Sequence, residues 1–185
     1  MNCPLECPFL REARLREREA DVDPRSFPNQ DIRVDEAFLR RNEPLLLLLA
    51  STIAAAALES RDHVIDLDVR EALDGLISTW RARQSGLIYT GGLVNPLAIR
   101  IHDAVNARVA DIDGRLREHN SQLRDVDVLG VLAFLQRLEL QKNNGRRKSR
   151  AFIDFLREFF PTEPPSGQQQ PPPPTTPPPS GLILP

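Results

Sequence analysis

Cysteine is scarce. Cys3 and Cys7 are the only two in 185 residues, too few for the disulfide framework that staples small secreted domains. The opening residues also lack the basic region, apolar run and small-residue cleavage site of a secretory leader. Together these absences predict a cytoplasmic protein. An excess of charge of one sign is missing as well: 24 basic residues face 26 acidic ones, for a net charge of −2. No surface-wide field is available to gather polyanions, which disfavours general nucleic-acid binding. Long hydrophobic runs are absent too. The most apolar stretch, Leu45 to Leu58, is 14 residues long and contains Ser51 and Thr52, whereas a spanning helix needs about 20 apolar residues. It is read as a core helix, with no membrane span. No repeat of fixed period argues for a solenoid. There is no nucleophile turn, complete phosphate loop or dinucleotide fingerprint, so the chain leans away from enzymes.

What is present is apolar spacing at helical intervals. Apolar residues make up 41% and charged ones 27%, enough to bury a core over most of the chain. The expected fold is all-α, a compact bundle of five to six helices. Asp35 is a candidate N-cap, and Pro44 marks either a kink or the first turn of a second helix that runs to about Glu59. A third helix carries Val69, Leu73, Leu76, Ile77 and Trp80 on one face. Asp68 with Glu71 reads as a capping box at its start, and Gly86 marks its end. Asn95-Pro96 is a strong start signal, because Asn accepts from orphan amides and proline fits the first turn. The stripe Leu97, Ile101, Val105, Val109, Ile112 and Leu116 follows. A fifth helix, about Asp125 to Lys142, is apolar on nearly every side and should lie centrally. A short sixth carries Phe152, Phe155, Phe159 and Phe160, four of the eight phenylalanines, and must dock. The triplet Leu87-Ile88-Tyr89 is too short to make a sheet.

The boundaries follow from composition. Residues 1–34 form a Cys-Pro arm with a short charged helix, set apart by Pro24, Pro28 and Asn29. Residues 35–160 are the bundle. From Pro161 onward 11 of 25 residues are proline, and this tail is expected to be disordered, as solvated polyproline II or coil.

Four features bear on chemistry. In Cys3-Pro4-Leu5-Glu6-Cys7-Pro8 two thiolates would supply half of a zinc site, to be completed by His63, His102 or His119, by a partner chain, or by ligands upstream of Met1. Followed by Phe9-Leu10 and an Arg/Glu helix, this string resembles the cysteine-containing N-terminal arms of bacterial helical proteins. Second, His63, His102-Asp103 and Asp125 or Asp127 resemble, in order and type, the ligand set of the HD-domain phosphohydrolases, which implies metal-activated water attacking a phosphate ester. The pair sits in Ile-Arg-Ile-His-Asp-Ala-Val, without the small residues that usually follow it in that family. Third, Asp62, Asp66 and Asp68 form an acidic cluster of the kind that holds Ca²⁺ or Mg²⁺, but they lack the glycine turn and terminal Glu of a calcium loop, and Asp66 or Asp68 reads as a helix cap. Fourth, Lys142, Arg146, Arg147, Lys148 and Arg150 place five cations in nine residues between two helices. This is a candidate polyanion contact, without an interleaved aromatic to stack bases. The balance of these features favours a non-enzymatic binding or scaffold protein that docks a protein partner or a second copy of itself through a helix face. The phosphohydrolase and a small nucleic-acid binder are the alternatives.

Overall fold

The computed structural model describes residues 7–15, 23–59, 64–87 and 92–160. These contain seven α-helices, one short 3-10 helix and no strand: α1 (Pro8–Leu15), a 3-10 turn (Pro24–Ser26), α2 (Glu36–Arg41), α3 (Glu43–Glu59), α4 (Asp66–Gln84), α5 (Pro96–Glu118), α6 (Asp125–Lys142) and α7 (Ala151–Phe159). The expected all-α bundle is present. The proline-rich segment 161–185, Cys3, His63 and the pair Ile88-Tyr89 lie outside the described residues. No described helix is long and apolar enough to cross a membrane.

Helices α3, α5, α4 and α6 pack in a closed cycle, each against the next. α7 then lies across α3, α6 and α4, and α1 rests on α7. Local capping chemistry sets several of the boundaries. Asp35 Oδ1 accepts from the Phe38 amide at 2.7 Å, and Asn95 Oδ1 accepts from the Leu97 amide at 3.0 Å with Pro96 in the first turn. Pro44 occupies the first turn of α3, where its missing N–H costs nothing. Gly86, at φ +68°, follows the end of α4 in the left-handed region that glycine favours.

α4 starts two residues earlier than the expected capping box. Asp66, not Asp68, opens the helix, because its amide is taken by the Ser149 carbonyl at 2.8 Å. Asp68 therefore sits in the first turn and accepts from the Ile65 amide at 2.8 Å. Glu71 does not close a box but accepts, as Asp68 also does, from the side-chain amide of Asn95, at 2.8 and 2.7 Å. The start of α5 is thereby fastened to the first turns of α4.

α6 is the central helix, with residues buried on every side, among them Val128, Val131, Leu132 and Leu135. Its glycine has a steric purpose. A Cβ at Gly130 would lie 2.3 Å from Phe38 Cζ, so the absent side chain lets the α2 ring seat against α6. A helical glycine without such a neighbour costs about 1 kcal/mol relative to alanine. Gly114, in α5, has nothing within 4 Å of where its Cβ would be. Thermal melts should separate the two. Gly130→Ala is expected to destabilise by about 1–3 kcal/mol through overpacking, while Gly114→Ala is expected to stabilise by up to about 1 kcal/mol. Equal shifts for both would contradict this assignment.

The segment 23–34 does not stand apart from the bundle. The Asn29 side chain donates to Gln136 Oε1 at 2.7 Å and accepts from Arg81 at 2.9 Å, while Arg137 donates to the Asn29 and Ile32 carbonyls at 2.7 and 2.8 Å. Ile32 and Val34 pack against the core. A boundary at 34/35, read from turn residues, thus misses a loop that is clamped to α4 and α6 by long-range hydrogen bonds.

Candidate functional surface

Two of the features that carried candidate chemistry, Asp66 and the basic loop, meet at one helix, α7, against which α1 also packs. α7 is pinned from within. Asp66, fully buried at the start of α4, accepts from the amides of Phe152 and Ile153 at 3.2 and 3.1 Å and from the Ser149 hydroxyl at 2.5 Å. A carboxylate from one helix thus caps the N-terminus of another, where the amides have no partner of their own. Beside it, Glu139 of α6 is also fully buried. It takes a bidentate pair from Arg70 of α4, Nε at 2.7 Å and Nη2 at 3.1 Å, and a third bond from Asn143 at 2.8 Å.

These two carboxyls respond to burial in the same direction. Loss of water raises the pKa of Asp66 above 3.8, against the pull of Ser149, the two α7 amides and the Arg150 charge. It raises that of Glu139 above 4.5, against Arg70 and Asn143. The folded chain therefore holds both protons to higher pH than the unfolded chain does. Their contribution to stability is complete below the ordinary values and is lost as pH rises through the raised ones. Urea midpoints are expected to fall as pH rises above the ordinary carboxylate range, and Glu139→Gln, which cannot ionise, should flatten the decline. A decline of the same slope in the variant would contradict the assignment.

The basic loop precedes α7 and has a defined shape. The side chains of Asn143 and Asn144 accept from the amides two residues on, Gly145 at 2.7 Å and Arg146 at 3.1 Å, and Gly145 takes φ +71°. The five cations divide three ways. Arg146, Arg147 and Lys148 are exposed. Lys142 is half-buried, with its ammonium 4.8 Å from the centroid of the Phe155 ring. Arg150 is 3% exposed and lies beside Asp66. Arg150 is therefore corrected from polyanion contact to interior cation, since the chain turns inward at Ser149 to start α7. The α7 amides offer no anion site either, because Asp66 already occupies them.

The C-terminal half of α7 is aromatic. Phe155 stacks with Phe152, lies 4.7 Å from Phe159 and meets Phe160 edge-on at 6.2 Å. Phe152 is fully buried, whereas Phe159 is 61% exposed. α1 lies along this helix, tied to it by Arg11–Glu158 at 3.4 Å. It leaves Phe9 81% and Leu10 38% exposed. The expectation that the phenylalanine-rich helix must dock is met on one face only.

The remaining candidates do not assemble among the described residues. Cys7 stands half-buried at the N-terminal edge of α1, its carbonyl accepting from Arg11 at 3.0 Å, and Cys3 lies outside the described residues. His102 is half-buried on α5 and touches Asp103 and Asn106, while Asp125 pairs with Arg83 at 3.1 Å and Asp127 with Arg124 at 2.6 Å. No group of three or more His, Cys, Asp or Glu able to hold a metal occurs among the described residues. The phosphohydrolase reading needs His63, His102, Asp103 and Asp125 or Asp127 in one pocket; His63 lies outside the described residues, and the other members form no such group among those described.

The interior carboxylates went unread in the sequence, although Glu139 carried a signal. It interrupts a helix that is apolar on nearly every side, and a charge in such a helix must find a partner. No family model, curated protein or solved structure matches this chain.

Proposed function

We propose that this chain is a non-enzymatic, cytoplasmic binding or scaffold module that docks a protein partner, or a second copy of itself, on the aromatic end formed by α1 and α7. The observation that carries this reading is Phe9 and Phe159 standing largely in water on two helices packed against each other, with the half-buried Phe155 beside Phe159. Exposed aromatic side chains on two packed helices of an otherwise charge-balanced protein mark an interaction site. The capped N-terminus of α7 supports the reading, because an anchored helix presents its rings without an ordering cost at binding.

A photo-crosslinking phenylalanine analogue placed at position 9 or 159 in the full chain tests it. A discrete covalent adduct should form in cells from both positions and not from position 103 on α5, and Phe159→Ser should remove the adduct formed from position 9. No adduct, or the same adduct from all three positions, would overturn the reading.

A second reading belongs to the basic loop. Arg146, Arg147 and Lys148 are consecutive, exposed and set on a loop fixed by two asparagine turns, an arrangement that suits phosphate contact. It predicts binding to single-stranded oligonucleotides that weakens with salt and is lost in Arg146→Ala/Arg147→Ala. The half-site Cys3-Cys7 remains a zinc proposal, read out by the metal content of wild type against Cys3→Ser/Cys7→Ser.

A further inference from the structure

Between Glu43 and Glu59, α3 runs fifteen residues, Pro44 to Leu58, without a charge. A helix that is apolar all round belongs in an interior, yet only one side of α3 has one. α2, α5, α6 and α7 pack against this helix, and Leu45, Leu49, Ile53 and Ala56 are buried on the covered side. The other side carries Leu47, Ser51, Ala55 and Leu58, three and four residues apart and so in one stripe, with Leu48 beside it. Leu47 is 45% exposed and the other four are half-buried. The other long helices bring charge to the surface, through Arg83 on α4, Arg115 on α5, Lys142 on α6 and Glu158 on α7.

The hydroxyls on this side are already paired within the helix. Ser51 and Thr52 both donate to the Leu48 carbonyl, at 2.9 and 2.7 Å, so drying the face orphans no polar group. The same chemistry selects the occupant. A charged surface laid on α3 would give up its water and find no countercharge, so the matching surface is an uncharged helix face. Among the described helices α3 alone offers one, which selects a second copy of this chain about a twofold axis. The ends of the face set the direction. Glu36 and Glu43 balance Arg40 and Arg41 around its N-terminal end, whereas Glu59 stands at its C-terminal end. Antiparallel pairing lays that acidic end beside the positive end of the opposing helix dipole, while parallel pairing would set Glu59 against its own copy.

We infer that this chain self-associates through α3, packed antiparallel on its own copy about a twofold axis that passes near Ser51, midway along the uncharged face. Ser51 and Ala55 are small, which lets the two helix axes approach to about 8 Å, and Leu47 and Leu58 of each copy close the contact on either side of the axis. One helix pair about 22 Å long covers less than the roughly 800 Å² per partner of a standard interface, so the dimer is a dissociable one. The contact uses neither Phe9 nor Phe159 and stands apart from the aromatic end proposed above.

Sedimentation velocity on the full chain, from about 1 to about 200 µM, should show the mass rising from one chain toward two. Leu47→Lys buries two cations in each dimer and should raise the dissociation constant at least about tenfold. Its helical circular dichroism should match wild type, because Leu47 already stands partly in water. Phe159→Ser should leave the dimer intact. A second measurement does not depend on the lysine being tolerated. In a Cys3→Ser/Cys7→Ser background, Ser51→Cys should form a disulfide-linked dimer under mild oxidation at least about tenfold faster than Leu47→Cys, whose two copies lie about 12 Å apart along an antiparallel pair. Three results would overturn the inference: a monomer at every concentration, whether the thiol at position 51 is open to reagent or shielded by the chain's own segments; equal linking rates at positions 51 and 47; or a dimer lost with Phe159→Ser and kept with Leu47→Lys.

Discussion

Arg70→Ala is expected to lower the stability of the bundle by about 3 kcal/mol in urea denaturation, near the low end of what breaking a buried ion pair costs. The reason is what the substitution leaves behind. Glu139 is fully buried, and Arg70 provides two of its three hydrogen bonds. About a third of the Arg70 side chain meets water, which keeps the effect from the upper end of the range. Removing both charges together has a different outcome. Arg70→Met/Glu139→Leu should come within about 1 kcal/mol of wild type or exceed it, because the desolvation cost of the pair disappears with the pair. At a pH well above the carboxylate range, a single mutant that is nearly neutral would show that Glu139 is solvated in the fold, and the account of the α4–α6 contact would fail.

Asp66→Ala should have an effect of similar size, about 3 kcal/mol, combining a lost helix cap with lost bonds to a charged acceptor. It strips the partner from the Phe152 and Ile153 amides and from the Ser149 hydroxyl, and it leaves Arg150 inside without its neighbouring carboxylate. Asp66→Asn retains one acceptor oxygen and should cost about half as much. Against a typical total of about 5–15 kcal/mol, the alanine change threatens the fold itself. Its signature is local before it is global: amide exchange should accelerate in α7 ahead of α6. Uniform acceleration across all helices would contradict a cap specific to α7.

Both predictions concern pairings that the order of residues does not reveal. Asp66 and Phe152 are 86 positions apart, and Arg70 and Glu139 are 69 apart. Read along the chain, Asp66 belonged to an acidic cluster and served as a cap for its own helix. It does cap, but the helix is α7, because the chain returns at Ser149 to lie beside the start of α4. Arg150 illustrates the same limit. Its neighbours in sequence are basic and exposed, yet one residue of helical entry turns it inward. Elements fixed by short-range chemistry were readable. Asp35 and Asn95 cap helices because a side-chain oxygen reaches an amide two or three residues away. α6 spans Asp125–Lys142 as its apolar spacing predicts.

Residue order alone specifies a helical chain, most of its helix starts, and a phenylalanine-rich α7 that must dock. These follow from interactions within a turn or two of the backbone. Packing settles which carboxylates are interior, which cations remain outside, and which helical glycine has a ring seated against it. Those outcomes depend on loss of water and on steric approach between segments distant in the chain, and neither is set until the helices pack.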